Sequence, residues 1–144
     1  MRKLILMIAA LTLVGCASAP DDENLCGTVS GYLEPAKDQG LYRAVVTHLD
    51  GKPVISKPNY QLAPGEYQFT VAELISDPAV KVKLAARTPK QFVINVEANE
   101  RYHIGAQFNA GKIYRGMDDS YWQPVVWQQE SYDCERVKLP ASNQ

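Results

Sequence analysis

The sequence predicts an all-β domain, a single antiparallel β-sandwich of about seven short strands filling residues 26–144. Three observations carry that expectation. Apolar residues recur at every second position in several segments, and glycines and prolines, 9 of each, punctuate the chain between them. No stretch keeps a 3.6-residue apolar stripe for three turns. With 144 residues, 46% hydrophobic and 22% charged, the chain has the size and composition of one ordinary globular domain. A formal net charge of −1 supplies no basic footprint for nucleic acid, so no nucleic-acid partner is expected.

The first element is not part of the sandwich. Met1-Arg2-Lys3 is a short positive segment, and Leu4 to Val14 is apolar except for Thr12. Such a run reaches roughly 16 Å as a helix, far short of a bilayer core of about 30 Å. It reads as a secretory signal peptide over residues 1–15. Leu13-Val14-Gly15-Cys16, placed directly after it, resembles the lipobox of bacterial lipoproteins. That resemblance implies diacylglycerol on the Cys16 thiol, cleavage between Gly15 and Cys16, and acylation of the new amino group. With Ala17 rather than aspartate after the cysteine, it also implies sorting to the outer membrane of a Gram-negative cell, facing the periplasm. Two or more acyl chains anchor a protein stably where one does not. Loss of Arg2 and Lys3 leaves 13 basic against 16 acidic side chains, a balance of −3, so the anchor rather than charge holds the protein. Residues 16–25 then form a lipidated cysteine and a small, acidic, flexible tether, its acidic residues acting as solvated spacer.

There are 3 cysteines. With Cys16 taken by lipid, Cys26 and Cys134 are left as a pair in an oxidising compartment, where a disulfide is the default. It closes a loop of about 108 residues and fastens the first residues of the domain to the last. A reactive cysteine–histidine site is the alternative, but no base lies near either cysteine in the sequence.

The strands follow in order. Segments 28–34 and 41–49 are the first two, and Asp50-Gly51 turns a hairpin after them. Pro64-Gly65 suits a type II turn. Tyr67, Phe69 and Val71 share a face opposite Gln68 and Thr70. Val80, Val82 and Leu84 alternate with Lys81, Lys83 and Ala85; Phe92, Ile94 and Val96 alternate with Val93, Asn95 and Glu97. After a turn at Asn99-Glu100, Tyr102, Ile104, Ala106 and Phe108 alternate with His103, Gly105, Gln107 and Asn109. A last strand covers about 121–130, where Pro124 demands an edge position or a bulge.

Leu62-Ala63-Pro64-Gly65-Glu66-Tyr67-Gln68-Phe69-Thr70-Val71, entered after Asp50-Gly51-Lys52, is similar to the L-x-P-G-x-Y-x-V core of PEGA-like domains. The Phe92–Val96 and Tyr102–Phe108 pattern is similar too. The resemblance covers roughly residues 45–109 and implies a small transthyretin-like β-sandwich of the kind found on bacterial surface proteins and lipoproteins. Its residues are turn and packing residues, so it speaks to fold more than to function.

Residues with the means to do chemistry are sparse. His48 and His103 have no metal-ligand spacing and read as exposed strand residues. There is no nucleophile elbow, Asp118-Asp119 reads as a solvated turn rather than a calcium loop, and no glycine-rich phosphate loop occurs. No cofactor or metal is expected. Two surface features stand out. Tyr114, Tyr121, Trp122, Trp127 and Tyr132 crowd together as a candidate binding surface for sugar rings or a protein partner. The competing reading, favoured by alternation, has them closing the core beside Cys134. Lys81, Lys83, Arg87 and Lys90 flank one strand and either meet anionic envelope groups or guard a sheet edge.

The expected function is a non-enzymatic, lipid-anchored binding or envelope-accessory module with an envelope protein or glycan as partner. One alternative is an inhibitor or sensor acting through the 110–121 loop. Another is a small hydrolase using residues such as His103 and Asp118.

Overall fold

In the computed structural model, residues 24–136 are described; the signal-peptide segment, Cys16 and most of the tether lie outside them. Eleven strands are present: β1 (Gly27–Ser30), β2 (Leu41–Tyr42), β3 (Ala44–Leu49), β4 (Lys52–Pro53), β5 (Asn59–Leu62), β6 (Gly65–Glu73), β7 (Val80–Val82), β8 (Lys90–Val96), β9 (Glu100–Phe108), β10 (Tyr114–Gly116) and β11 (Trp122–Ser131). They form a five-stranded sheet in the order β11-β9-β1-β5 with β2 also on β9, a four-stranded sheet β4-β3-β6-β8, and a two-stranded ribbon β10-β7. The all-β, sandwich-like architecture is as the alternation predicts.

Two pairings are parallel, β1 with β9 and β7 with β10, so the sheets are mixed rather than purely antiparallel. The first has a simple cause. Gly27 and Glu100 both leave the same corner, where the Asn99 N–H donates to the Cys26 carbonyl, and the two strands therefore run the same way. Four of the extra strands are short, and β5 and β10 fall in segments whose alternation is too brief to read.

The turns divide into hairpins and arches. Asp50 and Gly51 both take positive φ, 50° and 76°, and join β3 to β4 as the sequence predicts. Pro64-Gly65 and Asn99-Glu100 do something else: each carries the chain from one sheet to the other, since β5 and β9 lie opposite β6 and β8. The strand expected over 80–85 stops early. Leu84–Ala86 is a 3-10 turn and Leu84 is 86% exposed, so it does not continue the apolar face of Val80 and Val82. β11 is an edge strand, as Pro124 requires, and its bulge falls between Val126 and Gln128.

Between the sheets, Val29, Tyr102, Ile104, Ala106 and Phe108 face Val46, Phe69, Val71, Ile94 and Val96, all buried in one cluster. Burial of side chains this size contributes roughly 1.5–3 kcal/mol each. One open side of the sandwich is closed by Lys90, whose ammonium donates to the carbonyls of Asp119 and Trp122 and lies over the Trp122 ring.

A buried carboxylate ties three elements together. Glu73, at the end of β6, accepts from Arg87 Nε at 2.7 Å and Nη2 at 2.8 Å, from the Ile75 N–H at 2.6 Å and from the Tyr121 hydroxyl at 2.9 Å. Burial alone would raise the Glu73 carboxyl, but these donors outweigh it and hold it below its ordinary value. Burial, then the Glu73 charge, pushes Tyr121 up to about 12. A depressed carboxyl stabilises the fold above its unfolded pKa, and that contribution is lost as pH falls through the folded value. A raised tyrosine works the other way, stabilising fully below pH 10.0 and failing as pH rises through about 12. Urea midpoints against pH are therefore expected to fall at both ends. Glu73→Gln should shrink the acid limb and cost roughly 1–3 kcal/mol at neutral pH, because the charge-assisted hydrogen bonds from Arg87, Ile75 and Tyr121 to a buried group are weakened. An unchanged acid limb in that variant would contradict the assignment.

Candidate functional site

The five-stranded sheet has a polar and aromatic outer face centred on β9. Strand alternation sends Tyr102, Ile104 and Ala106 into the core and turns Arg101, His103 and Gly105 outward. Parallel register sets Thr28 beside Arg101 and Ser30 beside His103; on the other side, Glu130 lies beside Arg101 and Gln128 beside His103. The Arg101 guanidinium donates through Nε at 2.7 Å and Nη2 at 2.5 Å to Glu130 Oε1, which also lies 2.7 Å from His103 Nε2. His103 first and Arg101 second hold the Glu130 carboxyl below its usual range. Aromatic rings frame these three side chains. The Arg101 guanidinium stacks 4.0 Å above the Tyr132 ring, Trp127 lies 5.5 Å from the His103 ring, and Tyr32 meets it edge-on at 6.2 Å.

Trp127 sits at the β11 bulge, which also turns the following Gln128 and Glu130 onto this face. Its indole N–H donates to the Ile104 carbonyl at 3.2 Å, which lays the ring across Gly105. A Cβ at Gly105 would stand 2.7 Å from the Tyr42 carbonyl oxygen and 3.0 Å from the indole. Glycine is what lets β2 and the indole close on β9 together.

This geometry corrects several sequence-based expectations. His103 is not an exposed strand residue but only 1% exposed, because β9 is flanked by strands on both sides and roofed by Trp127 and Tyr32. His48 is part-exposed, with Nδ1 2.9 Å from the Thr47 hydroxyl. Of the candidate aromatic surface, Tyr114, Tyr121 and Trp122 are buried. Tyr114 packs ring to ring with Phe108 and with Tyr121, at 6.0 Å in each case, and together with Trp122 they belong to the core cluster. Only Trp127 and Tyr132 of that group face outward, joined by Tyr32 from a distant part of the chain. Asp118 is held in its turn by Ser120 and Lys112 and is not brought to His103, whose carboxylate partner is Glu130. Sequence reading missed Arg101, Glu130 and Tyr32; the alternation of 100–108 marks Arg101 as outward, but nothing local announces Glu130 as its partner.

The basic group divides. Arg87 belongs to Glu73 and Lys90 to the Asp119 and Trp122 carbonyls, whereas Lys81 and Lys83 make no ion pair among the described residues. Cys26 and Cys134 are joined by a disulfide. Around it, Cys134 N–H donates to Asn99 Oδ1 at 3.1 Å, and Leu25 bridges Glu135.

Chemically, the outer face sets a serine, a histidine and a carboxylate near one another. Ser30, His103 and Glu130 stand in a row. Yet Ser30 is 1% exposed, and neither Ser30 Oγ nor His103 Nδ1 has a hydrogen-bond partner among the described residues. The nucleophile–base hydrogen bond that activates a serine is thus missing. No group of three metal-ligating side chains occurs among the described residues, and no described helix is long and apolar enough to cross a membrane. Elsewhere, an apolar groove of about 420 Å³ opens between β4 and β5, lined by Leu49, Val54, Ile55, Tyr60 and Leu62. Comparison with protein-family models, with curated proteins and with solved structures finds no match for this chain.

Proposed function

We propose that this chain is a lipoprotein anchored through Cys16 to the periplasmic face of the outer membrane, and that it acts as a non-enzymatic binding module. The signal-peptide pattern of residues 1–15 and the Leu13-Val14-Gly15-Cys16 motif support the anchor, and a disulfide between Cys26 and Cys134 suits an oxidising compartment. The PEGA-like pattern over residues 45–109 fits the same reading. One observation carries the binding role: Tyr32 and Tyr132, each 43% exposed, and Trp127 surround the Arg101–Glu130 pair on one sheet face. Rings with polar tips beside a rigid charged pair suit an envelope glycan or protein, offering apolar area and directed hydrogen bonds together.

A photo-crosslinking side chain placed at Tyr132 in the anchored protein tests the reading. The expected result is one discrete adduct with an envelope component, lost when Trp127→Ala is added. Adducts indistinguishable from those of a probe at Val93, which is 56% exposed on the other sheet, would overturn it. The anchor has its own test. Palmitate labelling of the wild type should vanish in Cys16→Ser, and labelling that persists contradicts the lipid assignment.

A further inference from the structure

The β7–β10 ribbon has an outward face that neither the core nor the aromatic array uses. Register pairs Tyr114 with Val80, Arg115 with Lys81 and Gly116 with Val82. Tyr114 is buried, and Val80 and Val82 pack against the core cluster. Alternation therefore sends Arg115 and Lys81 outward as neighbours. Ile113 immediately precedes β10 and Met117 follows it in a turn after Gly116, whose φ is 64°; they are 52% and 60% exposed. The Lys83 N–H donates to the Gly116 carbonyl at 2.7 Å, which brings Lys83 and the protruding Leu84, 86% exposed, alongside Met117. Three aliphatic side chains thus stand among Lys81, Lys83 and Arg115. Of the nearby carboxylates, Asp118 is taken by Lys112 and Ser120, Asp77 caps the Ala79 N–H, and Asp119 is exposed in the turn beyond Met117.

We infer that this ribbon is a membrane-contact surface for anionic phospholipid, placing Leu84, Ile113 and Met117 at the acyl boundary and the three cations among the phosphates. Charge complementarity favours it, because a chain whose balance after cleavage is −3 concentrates unpaired cations at one place. Composition points to a bilayer: two of the three cations are lysines, a residue depleted at protein interfaces, and none of the exposed aromatic rings, a type enriched there, stands among them. Interfacial binding of this kind adds buried apolar area to electrostatic attraction. The inference rests on the anchored-lipoprotein reading for its proximity to a membrane. The eight residue steps from Cys16 to Asn24 extend to about 28 Å, close to the ~30 Å length of a nine-residue strand such as β9. The domain can therefore lie on its long side with the ribbon down.

Residues 17–144, which contain the whole described fold and no acyl chain, should co-sediment with vesicles of phosphatidylethanolamine and phosphatidylglycerol, and not with phosphatidylcholine alone. Lys81→Ala/Arg115→Ala should lower the partition coefficient roughly thirtyfold, the usual effect of losing two cations near an anionic surface. Leu84→Ser/Met117→Ser should lower it while leaving the thermal midpoint unchanged. Absence of binding to anionic vesicles, equal binding to both compositions, or binding indifferent to these variants overturns the inference, as does saturable capture of an acidic protein by the same face in place of lipid. Because the protein tested is unacylated, failure here leaves the Cys16 anchor to stand or fall on its own labelling experiment.

Discussion

Replacing Cys26 and Cys134 together by alanine is expected to cost about 4–5 kcal/mol of stability. The bond joins residues 108 apart, and the loop-closure entropy it removes from the unfolded chain grows with the logarithm of that length. A domain's total stability is roughly 5–15 kcal/mol, so the double variant should unfold at a small fraction of the wild-type urea concentration. The local structure argues for a full effect. Both sulfurs are buried, and the clasp is backed by Asn99, which donates its N–H to the Cys26 carbonyl and accepts from the backbone of Tyr132 and, through its side chain, of Cys134. These bonds hold the start of β1 against residues 132–134, where the disulfide joins them. Equilibrium urea unfolding of oxidised wild type against the double variant checks the prediction, and a difference under about 1 kcal/mol would contradict the clasp's structural role.

The second large effect separates two tryptophans five residues apart. Trp122 is 1% exposed at the start of β11, packed beneath Lys90. Trp122→Ala removes one of the largest side chains from a close-packed interior and is expected to cost about 3–5 kcal/mol. Trp127, an odd number of residues further on, projects from the opposite face of the same strand. Trp127→Ala gives up its hydrogen bond to Ile104 and its contact with His103, a loss of about 1–2 kcal/mol, while removing a wall of the outer array. Thermal melts of the two variants should therefore diverge, with only Trp127→Ala folded well enough for its effect on crosslinking to be read. Equal destabilisation would place both indoles in the core and withdraw the array from consideration as a binding face.

The contrast between these residues shows how far the sequence could be read. Alternation over 67–71, 92–96 and 102–108 locates three principal strands and their core faces, because each packs only one side against the opposite sheet. The same rule misplaces His103, since an outward residue on a central strand is covered by neighbours that are remote in sequence. Tyr32 and Glu130 reach it from 71 and 27 residues away, and no local pattern encodes that meeting. Leu84 fails for a different reason: Lys83-Leu84-Ala85 continues the alternation on paper, but the pairing with β10 ends at Gly116 and the chain coils into a 3-10 turn. The aromatic cluster was half legible. Tyr114 and Trp122 pack inward and Trp127, an odd number of residues further on, falls on the outer face as alternation has it, while a bulge invisible in the sequence shifts the residues that follow and turns Glu130 out beside Arg101. The buried Glu73 and its partner Arg87 lie only 14 residues apart, yet Arg87 reads as one of a basic group because the 3-10 turn that brings it back to the end of β6 leaves no periodic signal.

The outer array and the basic ribbon both depend for their meaning on where the domain is held. Mass spectrometry of the N-terminal peptide from protein extracted from the cell envelope measures that directly. The account predicts a peptide beginning at Cys16 and carrying the mass of a diacylglyceryl group and an amide-linked fatty acid. A peptide that still begins at Met1, or one cleaved elsewhere with an unmodified Cys16 thiol, would contradict it.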